Sequence, residues 1–183
     1  GLGDVYKRQE FRGQPQQGPA EIKIDLPVDA HLPHEYVPGS AYPAEVGERL
    51  RLEAYKKLAA VLDEAEVDAI ALELRDRYGP PPPPVENLYA VARLRVLARR
   101  AGLADIAVQG GYVRFAPVPP ERMPDSRRLR LARLYPGSVV KDQLAAVLVP
   151  RPMTARVGGQ PLRDTAVVQW ARSVIEQTLG DSE

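Results

Sequence analysis

The stretch VENLYAVARLRVLARRAGL, residues 85–103, decides the fold, because its apolar residues recur at the spacing of one helix face. Four arginines border that face. On a helical wheel turning about 100° per residue, Arg93 and Arg100 fall together, whereas Arg95 and Arg99 fall on a different flank. Long arginine stems often cover apolar surface in this way. The pattern therefore predicts an amphipathic helix with solvated arginine borders and favours it over a single cationic stripe that grips phosphates.

Two further helices are predicted upstream of this stretch. Residues 48–62 place apolar side chains at helical spacing, and Asp63 with Glu66 forms an acidic capping box that starts the next helix. Gly79 ends that helix. Prolines 80–84 are expected to form an extended polyproline spacer. Short connections thus join three helices, which we expect to pack on one another.

Extended segments lie on both sides of the helices. Residues 21–26 alternate apolar and charged side chains, which is typical of a half-buried strand. Two alternating runs in 105–116 surround a Gly-Gly pair and predict a hairpin. A short helix starting near Asp125, two strands in 138–150 and a last helix capped by Asp164 follow.

The order of these elements predicts an α+β fold. An N-terminal extended strand and a helical hairpin or three-helix segment precede a small, mostly antiparallel sheet with packed helices. The 183 residues and 44% hydrophobic content suit one domain with tails. We assign the domain to 21–180. Residues 1–9 have no periodic pattern and are interpreted as a non-native adapter segment, 10–20 as a flexible linker rich in Gly, Pro and Gln, and 181–183 as a tail.

Composition narrows the function classes. Lys and Arg total 25 against 24 acidic residues, whereas a domain that relies on phosphate neutralisation usually has a marked basic excess. Cysteine is absent, so neither disulfides nor thiolate metal sites are available. No stretch approaches the ~20 apolar residues of a membrane span. We expect a cytoplasmic protein without membrane contact.

Motifs for catalysis or metal binding are weak. His31 and His34 flank Pro33 in a segment that its prolines should keep extended, so their rings are expected to diverge. The sequence contains no Walker A loop, G-x-S-x-G or H-E-x-x-H motif. We therefore expect no catalytic residue, cofactor or metal in this chain. A small hydrolase using unassigned carboxylates stays open as a third interpretation.

One charged pair on the second predicted helix is a candidate binding site. In ALELRDRYG, residues 71–79, Glu73 and Arg77 are i, i+4 neighbours beside the apolar face of the second helix. Spacing alone favours an intrahelical ion pair, worth ~0.3–0.5 kcal/mol.

Longer blocks of the sequence carry a family resemblance. The blocks are IDLPVDAHLPHEYV at 24–37, RLRLEAYKKLA at 49–59, ELRDRYG at 73–79 followed by prolines, and ENLYAVARLRVLARRAGL at 86–103. In this order and at this spacing they closely resemble the C-terminal domain of bacterial transcription-repair coupling factors. The resemblance covers roughly 21–180 and is strongest through Leu103.

The resemblance implies a regulatory role. Members of that family are ATP-dependent DNA translocases that push stalled RNA polymerase off damaged DNA and recruit the repair subunit UvrA through an N-terminal UvrB-like module. Their motor domains, which use ATP and Mg, would lie outside this chain. The C-terminal domain docks on the UvrB-like module and masks its UvrA-binding surface.

Carried over by position, Glu73 and Arg77 match residues of the family's docking face. The resemblance thus favours an interdomain contact for both over the plain ion pair. The alternative from the residues alone is an accessory nucleic-acid-binding module, which would use the arginines of 93–100 and 127–133.

Overall fold

The computed structural model describes residues 21–180, so the interpretations of 1–9, 10–20 and 181–183 lie outside the described residues. The helices of this part are α1 (Gly47–Ala60), α2 (Glu64–Tyr78), α3 (Pro83–Arg100), α4 (Asp125–Leu134) and α5 (Asp164–Val174). The strands are β1 (Lys23–Asp25), β2 (Asp105–Gln109), β3 (Tyr112–Ala116), β4 (Val139–Lys141) and β5 (Ala146–Pro150). None of these helices is long and apolar enough to cross a membrane.

The strands form one mixed sheet in the order β1-β2-β3-β5-β4. Only the β1–β2 pairing is parallel, and the other three pairings of the described sheet are antiparallel. Gln109 pairs with Tyr112, so Gly110 and Gly111 form the predicted two-residue turn between β2 and β3. Gly110 has φ +63°, a conformation that glycine adopts without steric cost. The structure confirms the predicted hairpin and the α+β class.

Two hydrophobic clusters lie on either side of α3. The first joins the sheet to α3, α4 and α5, and α3 contributes Leu94 and Ala98 to it. The second joins α1, α2 and α3 to the segment that follows β1, and α3 contributes Ala92 and Val96. All four side chains are at most 1% exposed. The stretch 85–103 therefore supplies a helix that contributes buried residues to both clusters.

Asp63 caps α2 as predicted, but the reciprocal half of the capping box is displaced by one residue, since Glu66 accepts from Leu62 and not from Asp63. Asp63 accepts a hydrogen bond from the Glu66 backbone N–H at 2.9 Å, and Glu66 Oε1 accepts one from the Leu62 N–H at 2.6 Å. The predicted extent of the preceding helix was too long, because α1 ends at Ala60 and Val61 is extended. Val61 is buried at 4% exposure, whereas Leu62 is 60% exposed and does not continue the buried face.

The expected proline spacer was also too long. Helix α3 begins at Pro83, with Pro82 as its N-cap residue. Proline is tolerated in the first turn of a helix, where its missing N–H would have no intrahelical partner anyway. The extended connection therefore ends at Pro82. The segment that contains His31 and His34 was expected to stay extended, but a short helical turn, Glu35–Gly39, interrupts it.

Asp164 was predicted to cap the last helix, but it does not. Its carboxylate makes no capping hydrogen bond to α5 and instead accepts the Asp29 N–H at 2.9 Å, while its own N–H donates to the Pro27 carbonyl at 2.9 Å. This link joins the start of α5 to the segment after β1. The buried face of α5 includes Val167 and Ala171, which are at most 1% exposed.

Candidate functional site

Glu73 and Arg77 lie on the exposed seam between α1 and α2. Lys57 Nζ, from α1, donates to Glu73 Oε1 at 3.1 Å and to Oε2 at 3.2 Å. The Arg77 guanidinium is farther away, with 3.7 Å between its Nη1 and Glu73 Oε2. The side chains of Lys57, Glu73 and Arg77 are 55%, 40% and 54% exposed. We call these three residues the seam triad.

Packing of the two helices explains why the triad forms. Leu58 of α1 and Leu74 of α2 are 3% and 5% exposed and belong to the same hydrophobic cluster. Lys57 and Glu73 directly precede these leucines in the sequence, so each lies at the edge of the buried seam. Burial of the leucines therefore brings an ammonium and a carboxylate together across 16 positions of sequence.

The surface beside the triad offers a shallow depression and no ligand-sized cavity. Its volume is about 30 Å³, and Leu50, Ala54 and Ile70 line its apolar part. Arg77 also places its guanidinium carbon 5.4 Å from the centre of the Tyr78 ring, within the range of a cation–π contact. This geometry suits contact with another protein surface better than enclosure of a small molecule.

Sequence reasoning found Glu73 and Arg77 but missed Lys57. The i, i+4 spacing that indicates a helical pair carries no information about a neighbouring helix. The available signal was indirect, because Lys57 lies inside the block RLRLEAYKKLA and adjoins an apolar position of that helix.

The wheel predicted that the arginines of α3 do not form one stripe, and the structure confirms this. Arg93 pairs with Asp68 of α2 at 2.7 Å, and Arg99 donates to the Val61 carbonyl at 3.3 Å. Arg100 is exposed at the end of the helix, and Arg95 faces a cavity together with Arg99.

Most of the arginines of α4 lie on one surface. Arg127, Arg130 and Arg133 line one open depression of about 420 Å³. Arg128 points elsewhere and pairs with Asp142 at 3.0 Å. Three of the four arginines thus share a surface, because positions three and six apart on a helix stay on neighbouring sides.

The two histidines have separate partners. The His31 ring nitrogen Nδ1 lies 2.8 Å from Asp29 Oδ1, and His34 Nε2 lies 3.1 Å from the Tyr42 carbonyl oxygen. In the part of the chain from Glu21 to Gly180, no group of three or more His, Asp or Glu side chains is placed to hold a metal ion.

Among solved structures, the fold is similar to the crystal structure of the C-terminal domain of a transcription-repair coupling factor. The TM-score is 0.62 at 14% sequence identity, and the match covers 88% of this chain and 96% of that one. The architecture therefore belongs to the class of α+β domains represented by that structure.

Sequence comparison identifies the family. The model of the TRCF domain family matches residues 26–126, more than half of the chain. The chain is 42% identical over 163 residues to the transcription-repair-coupling factor of Mycobacterium bovis, and 31% identical over 98 residues to that of Escherichia coli. These alignments cover 88% and 52% of this chain but only 12% and 8% of the relatives. The chain belongs to the TRCF domain family and corresponds to the C-terminal domain of a transcription-repair coupling factor.

Proposed function

We propose that this domain is an autoinhibitory docking domain of its parent protein. In this proposal Glu73 and Arg77 of the seam triad bind the N-terminal UvrB-like module of the same protein, and the domain masks the surface that recruits UvrA. The parent would be an ATP-dependent DNA translocase that displaces stalled RNA polymerase, with ATP and Mg bound by motor domains outside this chain. The observation that carries the proposal is the exposed position of Glu73 and Arg77 on one seam, where a partner surface can reach both.

The strength of such a contact suits reversible masking. Solvated ion pairs are individually worth about 1 kcal/mol or less, and they contribute orientation and association rate more than affinity. A motor-driven shift of a few kcal/mol in the domain equilibrium can therefore release the contact. Covalent connection within one chain would keep the released domain at high effective concentration.

Charge reversal in the full-length parent tests the proposal. Glu73→Lys and Arg77→Glu should each unmask UvrA binding, because a like-charge contact replaces an attractive one. A loss of about 1 kcal/mol in docking corresponds to roughly a fivefold rise in apparent UvrA affinity. The rise is measured by titrating UvrA against each variant.

Arg156→Glu is the matched control, because Arg156 is an exposed arginine in the loop between β5 and α5. It should leave UvrA affinity unchanged, and thermal unfolding should show all three variants folded. If both seam variants bind UvrA no better than the control, the seam triad is not the docking contact.

Lys57→Met should change UvrA affinity in the direction opposite to the charge reversals. Lys57 is the closer cation to Glu73, so its removal leaves the carboxylate free for a partner. Docking should tighten and UvrA affinity should fall. An unchanged affinity would mean that Glu73 contributes nothing across the interface.

The open arginine surface of α4 supports the second candidate, an accessory nucleic-acid contact. Among the described residues, no carboxylate pairs with Arg127, Arg130 or Arg133, and these side chains line one depression.

A salt titration of DNA binding by the chain tests this candidate. Each phosphate contact contributes about −0.9 to the log–log slope, so three contacts predict a slope near −2.7. With a net charge of +1 we expect weak binding, and a flat slope rejects the candidate.

A further inference from the structure

A cavity of about 470 Å³ lies between α1, α3 and the residues that lead into β1. Its size falls within the range of small-ligand pockets. One part of its wall is apolar and comes from Ile22, Leu58 and Leu88. The polar part comes from Arg95 and Arg99, with Glu21 also lining the cavity. This cavity is separate from the seam triad.

The two arginines lie one helical turn apart and face the same space. Like charges at i, i+4 on a helix repel each other. The pKa of the Arg95 guanidinium is lowered, first because burial removes it from water and second because Arg99 is close, while Glu21 acts in the opposite direction. Of these three influences on the Arg95 pKa, only Glu21 favours the charged form, and it is the smallest.

Neither guanidinium has a carboxylate partner at ion-pair distance in the described chain. Arg99 Nε is buried without a hydrogen-bond partner, and Arg99 donates a single long hydrogen bond, 3.3 Å to the Val61 carbonyl. By contrast, two other half-buried arginines of the domain pair with carboxylates. Arg93 and Arg172 have carboxylate oxygens at 2.7 Å and 2.6 Å. Arg95 and Arg99 thus line the cavity without a carboxylate partner from the described chain.

We propose that this cavity binds an oxyanion, a carboxylate or a phosphate, carried on a small apolar group. Guanidinium groups donate charge-assisted hydrogen bonds to either oxyanion, and two of them in one cavity can bind several oxygens. The apolar wall would hold the non-polar part of the ligand against Ile22, Leu58 and Leu88. A bound anion would offset the repulsion between the two cations.

Ligand-dependent thermal unfolding of the whole chain at constant ionic strength tests the proposal. The probes are N-acetyl-leucine, its uncharged amide, and inorganic phosphate. A probe present at ten times its Kd should raise Tm by roughly 3–6 °C. A rise with N-acetyl-leucine indicates a carboxylate ligand, and a rise with phosphate alone indicates a phosphate-bearing one. Either supports an oxyanion site.

Variants on the same helix show whether the effect belongs to the cavity. Arg95→Gln and Arg99→Gln should abolish the rise, while their Tm without probe stays equal or increases because repulsion is removed. Arg100→Gln, at an exposed position on the same helix, should retain the full rise. The proposal is overturned if no anionic probe raises Tm, if the amide is as effective as the acid, or if the cavity variants respond like Arg100→Gln.

Discussion

Glu73 has two cations of its own domain as neighbours, and this limits what any docking contact at that carboxylate can gain. Lys57 lies 3.1 Å away and Arg77 lies 3.7 Å away, all three being substantially exposed. A partner cation would share or replace these contacts, so the net gain is smaller than for a bare carboxylate. At the residue scale, the seam triad therefore favours a weak and quickly reversed contact.

The N-cap of α2 gives a prediction for a single residue. Asp63→Ala removes the acceptor of the Glu66 N–H and should lower the free energy of unfolding by about 1 kcal/mol. Urea denaturation measures the change, with an unaltered m-value as the sign that the native and unfolded states are otherwise the same.

Asp76→Ala serves as the comparison for this prediction. Asp76 is exposed in the last turn of the same helix, where the helix dipole disfavours an acid. Its removal should leave stability unchanged within about 0.5 kcal/mol or raise it slightly. Equal losses in both variants would show that the cap contributes nothing specific.

At the scale of elements, the β2–β3 turn depends on one backbone angle. Gly110→Ala should destabilise the domain by roughly 1–2 kcal/mol, because φ +63° at Gly110 brings a Cβ close to the carbonyl oxygen. Gly111→Ala should cost much less, because its φ is not positive. At both glycines a new Cβ would have no atom within 4 Å beyond the chain neighbours, so the comparison isolates the backbone angle. Thermal unfolding of the two variants compares them directly, and a larger loss for Gly111→Ala would refute the assignment of the turn.

Local signals predicted most of the elements. The hairpin followed from Gly-Gly between alternating runs, and the start of α2 followed from Asp63 and Glu66, because both patterns act within a few residues. Two errors concerned the ends of elements, at Ala60 and Pro83, and a third occurred where a distant group decides. Asp164 is drawn to the Asp29 N–H, 135 positions away, and no local rule anticipates such a partner.

Some residues of the candidate sites could likewise be predicted from local spacing, and others could not. Glu73 and Arg77 are recognisable from helical spacing, whereas their relation to Lys57 depends on how α1 packs against α2. The Arg95–Arg99 cavity was not predicted at all. The wheel placed these arginines on one flank, but only the tertiary structure shows that α1 and the residues leading into β1 lie against that flank.

At the scale of the whole molecule, one ion pair joins the last helix to the helical half. Arg172 of α5 and Glu64 of α2 are 2.6 Å apart, 108 positions apart in sequence, and at most 29% exposed. A double-mutant cycle with Arg172→Met and Glu64→Gln should give a coupling of about 1 kcal/mol in unfolding free energy.

The pair Arg49–Glu53 is a suitable reference for this cycle. It is an i, i+4 pair within α1, with side chains 86% and 59% exposed. Its coupling should be only about 0.3 kcal/mol, because solvent screens it and the helix alone fixes its geometry. A Glu64–Arg172 coupling no larger than this reference would mean that the contact between α2 and α5 does not stabilise the domain.

The two-sided packing of α3 has a consequence for how the sequence can diverge. Nine of its 18 residues are buried, and neighbouring buried positions serve different clusters, so a volume change on either side disturbs a close-packed interior. Helix α1 buries only three of its 14 residues and can exchange most outward side chains freely. Deep mutational scanning should therefore find α3 the least tolerant helix and α1 among the most permissive, and natural variation should accumulate accordingly.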